Sequence, residues 1–225
     1  MKALQSNLRS IEDAICQQAD RAESMIRSAY RGLCERCLGT ADEVRSMEVQ
    51  INDLEVLIEE RCLTLLALQQ PVASDLRRVA AALKINADLE RIADLALKLA
   101  ERTESLIDYP EVLIPTKLSE MVLWAIGMVQ DAKQAFVAND PQLAREVCRR
   151  DSELDEMNRA VIDELVATME ANPHQVSMYL HVFSASRIVE RIGDHATNIA
   201  EDVEYVVEGE ITRHRSGKTA GRASA

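Results

Sequence analysis

The sequence predicts an all-α protein, a tandem repeat of two elongated three-helix bundles with six helices in total. The first observation behind this prediction is the composition. Hydrophobic residues make up 47% of the 225-residue chain but aromatic residues only 3%, and there are 7 Gly and 5 Pro. Strands favour aromatic and β-branched residues, whereas long helices need few glycines and prolines. The second observation is that apolar residues recur at spacings of three and four, the period of an amphipathic helix.

The third observation is an internal repeat. Residues 88–94 (DLERIAD) return 100 positions later as residues 188–194 (IVERIGD), and three further residues return at the same offset: Ala96, Ala100 and Glu101 recur as Ala196, Ala200 and Glu201. A repeat of this length indicates one structural unit that occurs twice. Three amphipathic helices joined by short turns can bury one apolar seam, so each unit is predicted to be a three-helix bundle.

Helix-breaking residues divide the first unit into three helices. Gly39 ends a predicted helix over residues 4–38, and Thr40 or Asp42 is available to cap the next helix. Pro71 closes that second helix, because proline removes a backbone donor and clashes with the preceding turn. The third helix opens directly after Pro71 and carries the first copy of the repeated stretch.

The second unit is divided in the same way. Pro110 and Pro115 interrupt any helix and mark the boundary between the units, and a fourth helix follows over residues 116–138. Asn139-Asp140-Pro141 caps the fifth helix, and Asn172-Pro173 precedes the sixth. The predicted organisation is therefore a first bundle over residues 1–108, a second bundle over residues 109–208, and a basic, disordered tail over residues 209–225.

Charge and cysteine content restrict the class of partner. The net charge is −12, and the tail carries four basic residues against one acid, which leaves −15 for the body. An acidic body argues against binding nucleic acid or anionic lipid directly, since both need a basic surface.

Five cysteines without a secretory signal indicate a cytoplasmic protein with reduced thiols. The pair Cys34 and Cys37 is interpreted as ordinary helix residues in preference to a redox or zinc site.

Paired acids on the repeated helices are the candidate site. In each copy a Glu and an Asp stand four residues apart, so they share one face of the helix. The helices before and after Pro71 are expected to run antiparallel with equal rise per residue, so a second polar pair on the preceding helix lies at the same height as the Glu and Asp. The helices before and after Pro173 give the same arrangement in the second unit. The resulting candidate residues are Glu48, Asn52, Glu90 and Asp94, and Asp151, Asp155, Glu190 and Asp194.

Two interpretations of these acids remain open from the pattern alone. Oxygen-rich sets suit hard cations such as Mg²⁺, Mn²⁺ or iron. Alternatively, Arg91 and Arg191 reach Asp94 and Asp194 at i,i+3, and the acids form a solvated, salt-bridged face. A buried ferritin-like di-iron centre is not expected, because His195 directly follows Asp194 and misses the Glu-x-x-His spacing.

The stretches QPVASDLR (residues 70–77), LERIAD (89–94) and IVERIGD (188–194) resemble the PhoU family, the accessory regulators of bacterial phosphate-specific transport. The resemblance implies metal clusters at the bundle surfaces, holding iron, manganese, magnesium or zinc, on the eight candidate residues. Asn52 departs from the acid usual at its position, so the first site is expected to be the weaker. Asp53 and Glu55 are the nearby acids that could substitute if the helix is rotated.

The resemblance also implies a function. The expected protein is a non-enzymatic, cytoplasmic regulator that represses the phosphate-starvation response when phosphate is plentiful. Its expected partners are the ATPase of the phosphate ABC transporter and a sensor histidine kinase, with a homodimer as the assembly and only peripheral membrane contact. Two alternatives are a metal-carboxylate enzyme, for which His195 is the obvious acid–base group, and a purely structural helical spacer.

Overall fold

A computed structural model describes residues 2–209 of the protein. Within this range the chain forms six α-helices and no strand, which confirms the predicted all-α architecture. The helices are α1 (Lys2–Glu35), α2 (Thr40–Gln69), α3 (Ala73–Ser105), α4 (Thr116–Ala138), α5 (Pro141–Ala171) and α6 (Val176–Glu208). A single 3-10 turn, Pro173–Gln175, precedes α6. The predicted basic tail lies outside the described residues, apart from Gly209.

Each group of three helices packs together, and the two groups also pack against one another. Helices α1, α2 and α3 are mutually in contact, as are α4, α5 and α6. The two groups meet mainly where α3 lies along α6, and to a lesser extent where α1 meets α4. The helices that carry the repeated stretch are thus the central pair of the molecule. Their apolar faces are closed to solvent, with Ile92 and Ile192 each 0% exposed.

The turns between helices follow local backbone chemistry, with one correction to the sequence prediction. Asp140 caps α5 as expected, since its carboxylate accepts hydrogen bonds from the backbone N–H groups of Gln142 and Leu143. The cap of α2, however, is Gly39, at φ 83°, and Thr40 is already the first helical residue. The Thr40 hydroxyl donates to the carbonyl of Cys37 at 3.0 Å, so it closes the preceding turn. A left-handed residue was needed there, and glycine adopts that conformation without strain.

Polar contacts tie the two bundles together along the α3–α6 junction. The carboxylate of Asp88 lies 2.8 Å from Nδ1 of His195 and accepts a 3.2 Å hydrogen bond from Asn198. Nearby, Lys84 pairs with Asp202 at 3.1 Å. These contacts join residues more than 100 positions apart, and periodicity alone gave no indication of them. No helix within residues 2–209 combines the length and the apolarity needed to cross a lipid bilayer.

Candidate carboxylate clusters

The first cluster comprises Glu48 and Asn52 on α2 with Glu90 and Asp94 on α3. Burial and then the negative charge of Asp94 raise the pKa of Glu48, so these two carboxyls are neighbours across the helix pair, as the antiparallel register predicts. Burial and the charge of Asp94 also raise the pKa of Glu90. Asn52 is exposed and, within the part of the chain that the structure describes, forms no hydrogen bond. Three of the four predicted residues therefore influence one another directly.

Cations on α3 already accompany the first cluster. The guanidinium of Arg91 lies 3.4 Å from the carboxylate of Glu90 and 3.4 Å from that of Asp94, and Lys98 lies 3.6 Å from Asp94. The salt bridge that the sequence suggested between Arg91 and Asp94 is therefore present. Arg91 and Lys98 are more than half exposed, so these pairs are weak and easily exchanged for another cation.

The four predicted carboxylates of the second cluster lie near enough to affect one another's ionisation. It comprises Asp151 and Asp155 on α5 with Glu190 and Asp194 on α6. Burial, followed by the charges of Asp155 and Glu190, raises the pKa of Asp151. Although Asp194 keeps part of its surface in solvent, lost hydration raises the pKa of its carboxyl to about 6, and the charges of Glu190, Asp151 and Asp155 add to the shift. Like charges at close range disfavour ionisation, so this cluster favours a proton or a cation.

The second cluster also has less internal compensation than the first. Glu190 pairs with Arg187 at 3.0 Å through one oxygen, while its other oxygen, Oε2, is buried and has no hydrogen-bond partner. Within the described residues Arg191 makes no ion pair, so the salt bridge suggested between Arg191 and Asp194 is not formed. A carboxylate oxygen that is buried and unpaired is costly unless a ligand satisfies it.

The local sequence explains why these acids lie at the edge of the core. Glu190 and Asp194 flank Ile192 and Gly193, both of which face the packed interior. A Cβ atom on Gly193 would lie 2.2 Å from Cδ2 of Leu154, so glycine lets α5 approach α6 closely at the height of the second cluster. Ala93 occupies the same place in the first unit and is 1% exposed. Close helix approach brings the facing carboxylates within reach of one another.

The donor chemistry fits a hard divalent cation, although the side chains are not gathered around one point. All seven charged members of the two clusters offer carboxylate oxygens, the ligands that Mg²⁺ and Mn²⁺ prefer. In the described range, residues 2–209, no three His, Cys, Asp or Glu side chains are close enough to form a metal-binding group. The unpaired Oε2 of Glu190 marks the second cluster as the better candidate. Metal binding at the eight candidate residues thus stays a prediction.

Sequence reasoning missed the polar contacts beneath and between the clusters. His195 is engaged with Asp88 at the junction between the bundles, and its side chain is only 19% exposed. Beneath the first cluster, the side-chain amide of Asn86 donates to the carbonyl of Glu55 at 3.0 Å, and Gln18 donates to the carbonyl of Asn86 at 3.3 Å. The one sequence feature that could have indicated these buried polar contacts was a polar residue interrupting an apolar stripe.

Cys34 and Cys37 are both exposed near the end of α1.

Comparison with known proteins places this architecture in one family. The PhoU domain matches residues 15–103 and again residues 118–203. A phosphate-specific transport system accessory protein PhoU homolog of Pseudomonas putida is 37% identical over 93% of this chain and 82% of its own. The corresponding homolog of Deinococcus radiodurans is 33% identical over 92% and 98%.

Solved structures agree with the sequence relatives. The crystal structure of PhoU from Pseudomonas aeruginosa superposes with a TM-score of 0.87 at 35% identity, covering 92% of this chain and 99% of that one. The phosphate transport system regulatory protein PhoU from Streptococcus pneumoniae has the same fold, with a TM-score of 0.87 at 24% identity. The two matched domains coincide with the two helix triplets, and the chain belongs to the PhoU family.

Proposed function

We propose that this protein is a cytoplasmic regulator of phosphate transport and of the phosphate-starvation response. In this role it binds metal ions and links the ATPase of the phosphate ABC transporter to a sensor histidine kinase, as a homodimer. The observation that carries the proposal is the 37% identity, across nearly the whole chain, to an accessory protein of the phosphate-specific transport system. An acidic body with no helix able to cross a bilayer within residues 2–209 is consistent with contact through protein partners.

A regulatory role fits the site better than an enzymatic one. The acid–base group available to a metal-carboxylate enzyme is His195, and its Nδ1 lies 2.8 Å from Asp88 in a contact that joins the bundles. A catalytic acid or base needs access to a substrate proton, whereas this ring is largely enclosed. The purely structural alternative does not account for the buried carboxylate oxygen of Glu190 that has no hydrogen-bond partner. Metal analysis of the purified protein separates the structural alternative from the other two, and turnover assays with the bound metal separate the regulator from the enzyme.

Deleting the gene is expected to switch on phosphate-starvation genes in phosphate-rich medium. The reason is that the proposed link between transporter and kinase is then lost, and the kinase no longer receives the signal that phosphate is plentiful. The measurement is a transcriptional reporter in the deletion strain at high and low phosphate, with the complemented strain as control. Unchanged reporter activity at high phosphate, in a strain with no second copy of the gene, contradicts the proposal.

Metal binding is expected to depend on the second cluster. Replacing Asp155 with asparagine should weaken the stronger phase of a Mn²⁺ titration by about tenfold or more, because ligand charge tunes hard-cation sites and ~1.4 kcal/mol is tenfold. Binding should also weaken as the pH falls below about 6, where Asp194 gains a proton that competes with the metal. Glu153 is exposed on α5 and offers Glu153→Gln as a matched control. If Asp155→Asn binds Mn²⁺ as the unmodified protein does, this cluster is a solvated surface.

A further inference from the structure

Helix α2 carries a row of exposed apolar side chains on its outer face. Val49, Val56 and Leu63 stand seven residues apart, so they follow one another along one side of the helix. Their exposed fractions are 58%, 54% and 53%. At the rise of an α-helix the row is about 21 Å long, enough to contact several turns of a second helix. These three residues are called the α2 ridge below.

The second bundle shows that the fold does not need this ridge. Helix α5 has the place of α2 in its own bundle, and aligning Ile51 with Leu154 matches buried residues along both helices. The matched buried residues are Val44, Ile51, Ile58 and Cys62 on α2, and Val147, Leu154, Val161 and Leu165 on α5. In this alignment the ridge positions are filled on α5 by Ser152, Arg159 and Val166.

The difference between α2 and α5 indicates a contact outside the chain. Both helices pack against two neighbours through the same buried positions, yet α5 has polar residues at two of the three outer positions. Single exposed apolar side chains are common, but a continuous exposed row is typical of an interaction surface. The α2 ridge therefore has the character of a surface that a partner covers.

The side chains around the ridge are acidic. Asp53 stands four residues after Val49, whereas Glu59 and Glu60 stand three and four residues after Val56. Residues at these spacings are neighbours on a helix surface. All three acids are exposed, and none of them forms an ion pair or a side-chain hydrogen bond with residues in the range 2–209. Unpaired negative charge thus adjoins the apolar row.

The two cations of α2 do not neutralise these acids. Arg61 donates to the carbonyl and hydroxyl oxygens of Ser10 on α1. Arg45 pairs with Asp42 at 2.7 Å and with Glu101 at 3.3 Å. The negative charge beside the ridge is therefore available to a partner.

We propose that the α2 ridge is a docking site for a basic amphipathic helix of a partner protein. Apolar residues at helical spacing on the partner pack against the ridge, and Lys or Arg side chains beside them pair with Asp53, Glu59 and Glu60. Charge decides between the possible occupants. A second copy of this chain brings the same acids face to face, and anionic lipid is repelled as well.

The docking site adds a contact surface to the proposed adaptor role, and it rests on that role for the existence of a protein partner. It does not depend on metal binding. The deletion reporter assay tests the regulatory role separately, so a negative binding result overturns the docking site and leaves the regulatory role standing. An unchanged reporter contradicts the regulatory role whatever the ridge binds.

The test is a calorimetric titration of the full-length protein with a synthetic helical peptide of about three heptads, with Leu at one heptad position and Lys beside it. Val49→Ser combined with Val56→Ser should weaken binding by about tenfold, because two of the three apolar contacts are lost. Both valines are more than half exposed, so folding is retained. Asp53→Asn combined with Glu60→Gln should weaken binding and reduce its salt dependence. Val166→Ser, at the matching position of α5, is the control and should bind as the unmodified protein does.

Three results would overturn the proposal. The first is equal affinity of the double valine variant and the unmodified protein for the peptide. The second is equal binding of a peptide with the same composition in scrambled order, which would mean that charge alone attracts it. The third is a different occupant, seen either as a dimer that Val56→Ser dissociates or as binding to vesicles of anionic lipid that Val56→Ser abolishes.

Discussion

Replacing Ile92 with alanine is expected to lower the free energy of unfolding by about 2–5 kcal/mol, the range observed for large-to-small changes in well-packed cores. Ile92 is 0% exposed on α3, and α3 packs against α1, α2 and α6. Helices on several sides hold the backbone in place, so the cavity left by the missing methyl and methylene groups cannot collapse. The cost therefore includes a cavity as well as lost burial.

Urea denaturation followed by far-UV circular dichroism measures this effect as a lower midpoint with an unchanged slope. The control is Val56→Ala, which removes apolar atoms from a side chain that is 54% exposed on the outer face of α2. That change is expected to alter the free energy of unfolding by no more than about 0.5 kcal/mol. Equal effects of the two substitutions would show that Ile92 is not in a rigid, enclosed core.

Replacing Gly193 with valine is expected to lower the free energy of unfolding by about 3 kcal/mol, at the upper end of the cost of overpacking a core. The physical reason is that a Cβ atom at this position would lie 2.2 Å from Cδ2 of Leu154, which is itself 0% exposed. The added side chain must push α5 and α6 apart or force Leu154 out of its rotamer. Both changes disturb the second cluster.

A double-mutant cycle with Leu154→Ala isolates this clash. Leu154→Ala alone should destabilise by about 2–5 kcal/mol because it leaves a cavity. In the double mutant the valine occupies part of that cavity, so the combined loss should be smaller than the sum of the two single losses by at least about 1 kcal/mol. Strict additivity would mean that Gly193 and Leu154 do not share the contact.

Helix number and helix ends were predictable because they depend on neighbouring residues in the chain. Prolines and the Asp140 cap act within one turn, and the predicted boundaries agree with the observed helices to within a few residues. The correction at Thr40 shows the limit of such local reasoning. Thr40 is a good capping residue by type, but the tight turn between α1 and α2 needed a left-handed residue, which only Gly39 supplies without strain.

The sequence by itself determined the height of the acids along their helices. Rise per residue is the same in every α-helix, so counting outward from Pro71 and Pro173 was enough to bring Glu48 beside Asp94 and Asp151 beside Asp194. The repeat of the stretch at residues 88–94 likewise determined that there are two such places. Neither result required knowledge of how the helices pack.

Only the tertiary structure decided how each helix is rotated about its axis and which polar residues meet across the bundles. Helix α2 has apolar residues even on its outer face, including the half-exposed Val49 and Val56, so its rotation could not be inferred from its pattern. Packing against α1 and α3 left Asn52 exposed and Glu55 partly buried. The contact between Asp88 and His195 likewise formed because two distant helices lie side by side. Rotation and contact depend on the shapes of several surfaces at once, and no single stretch of sequence contains that information.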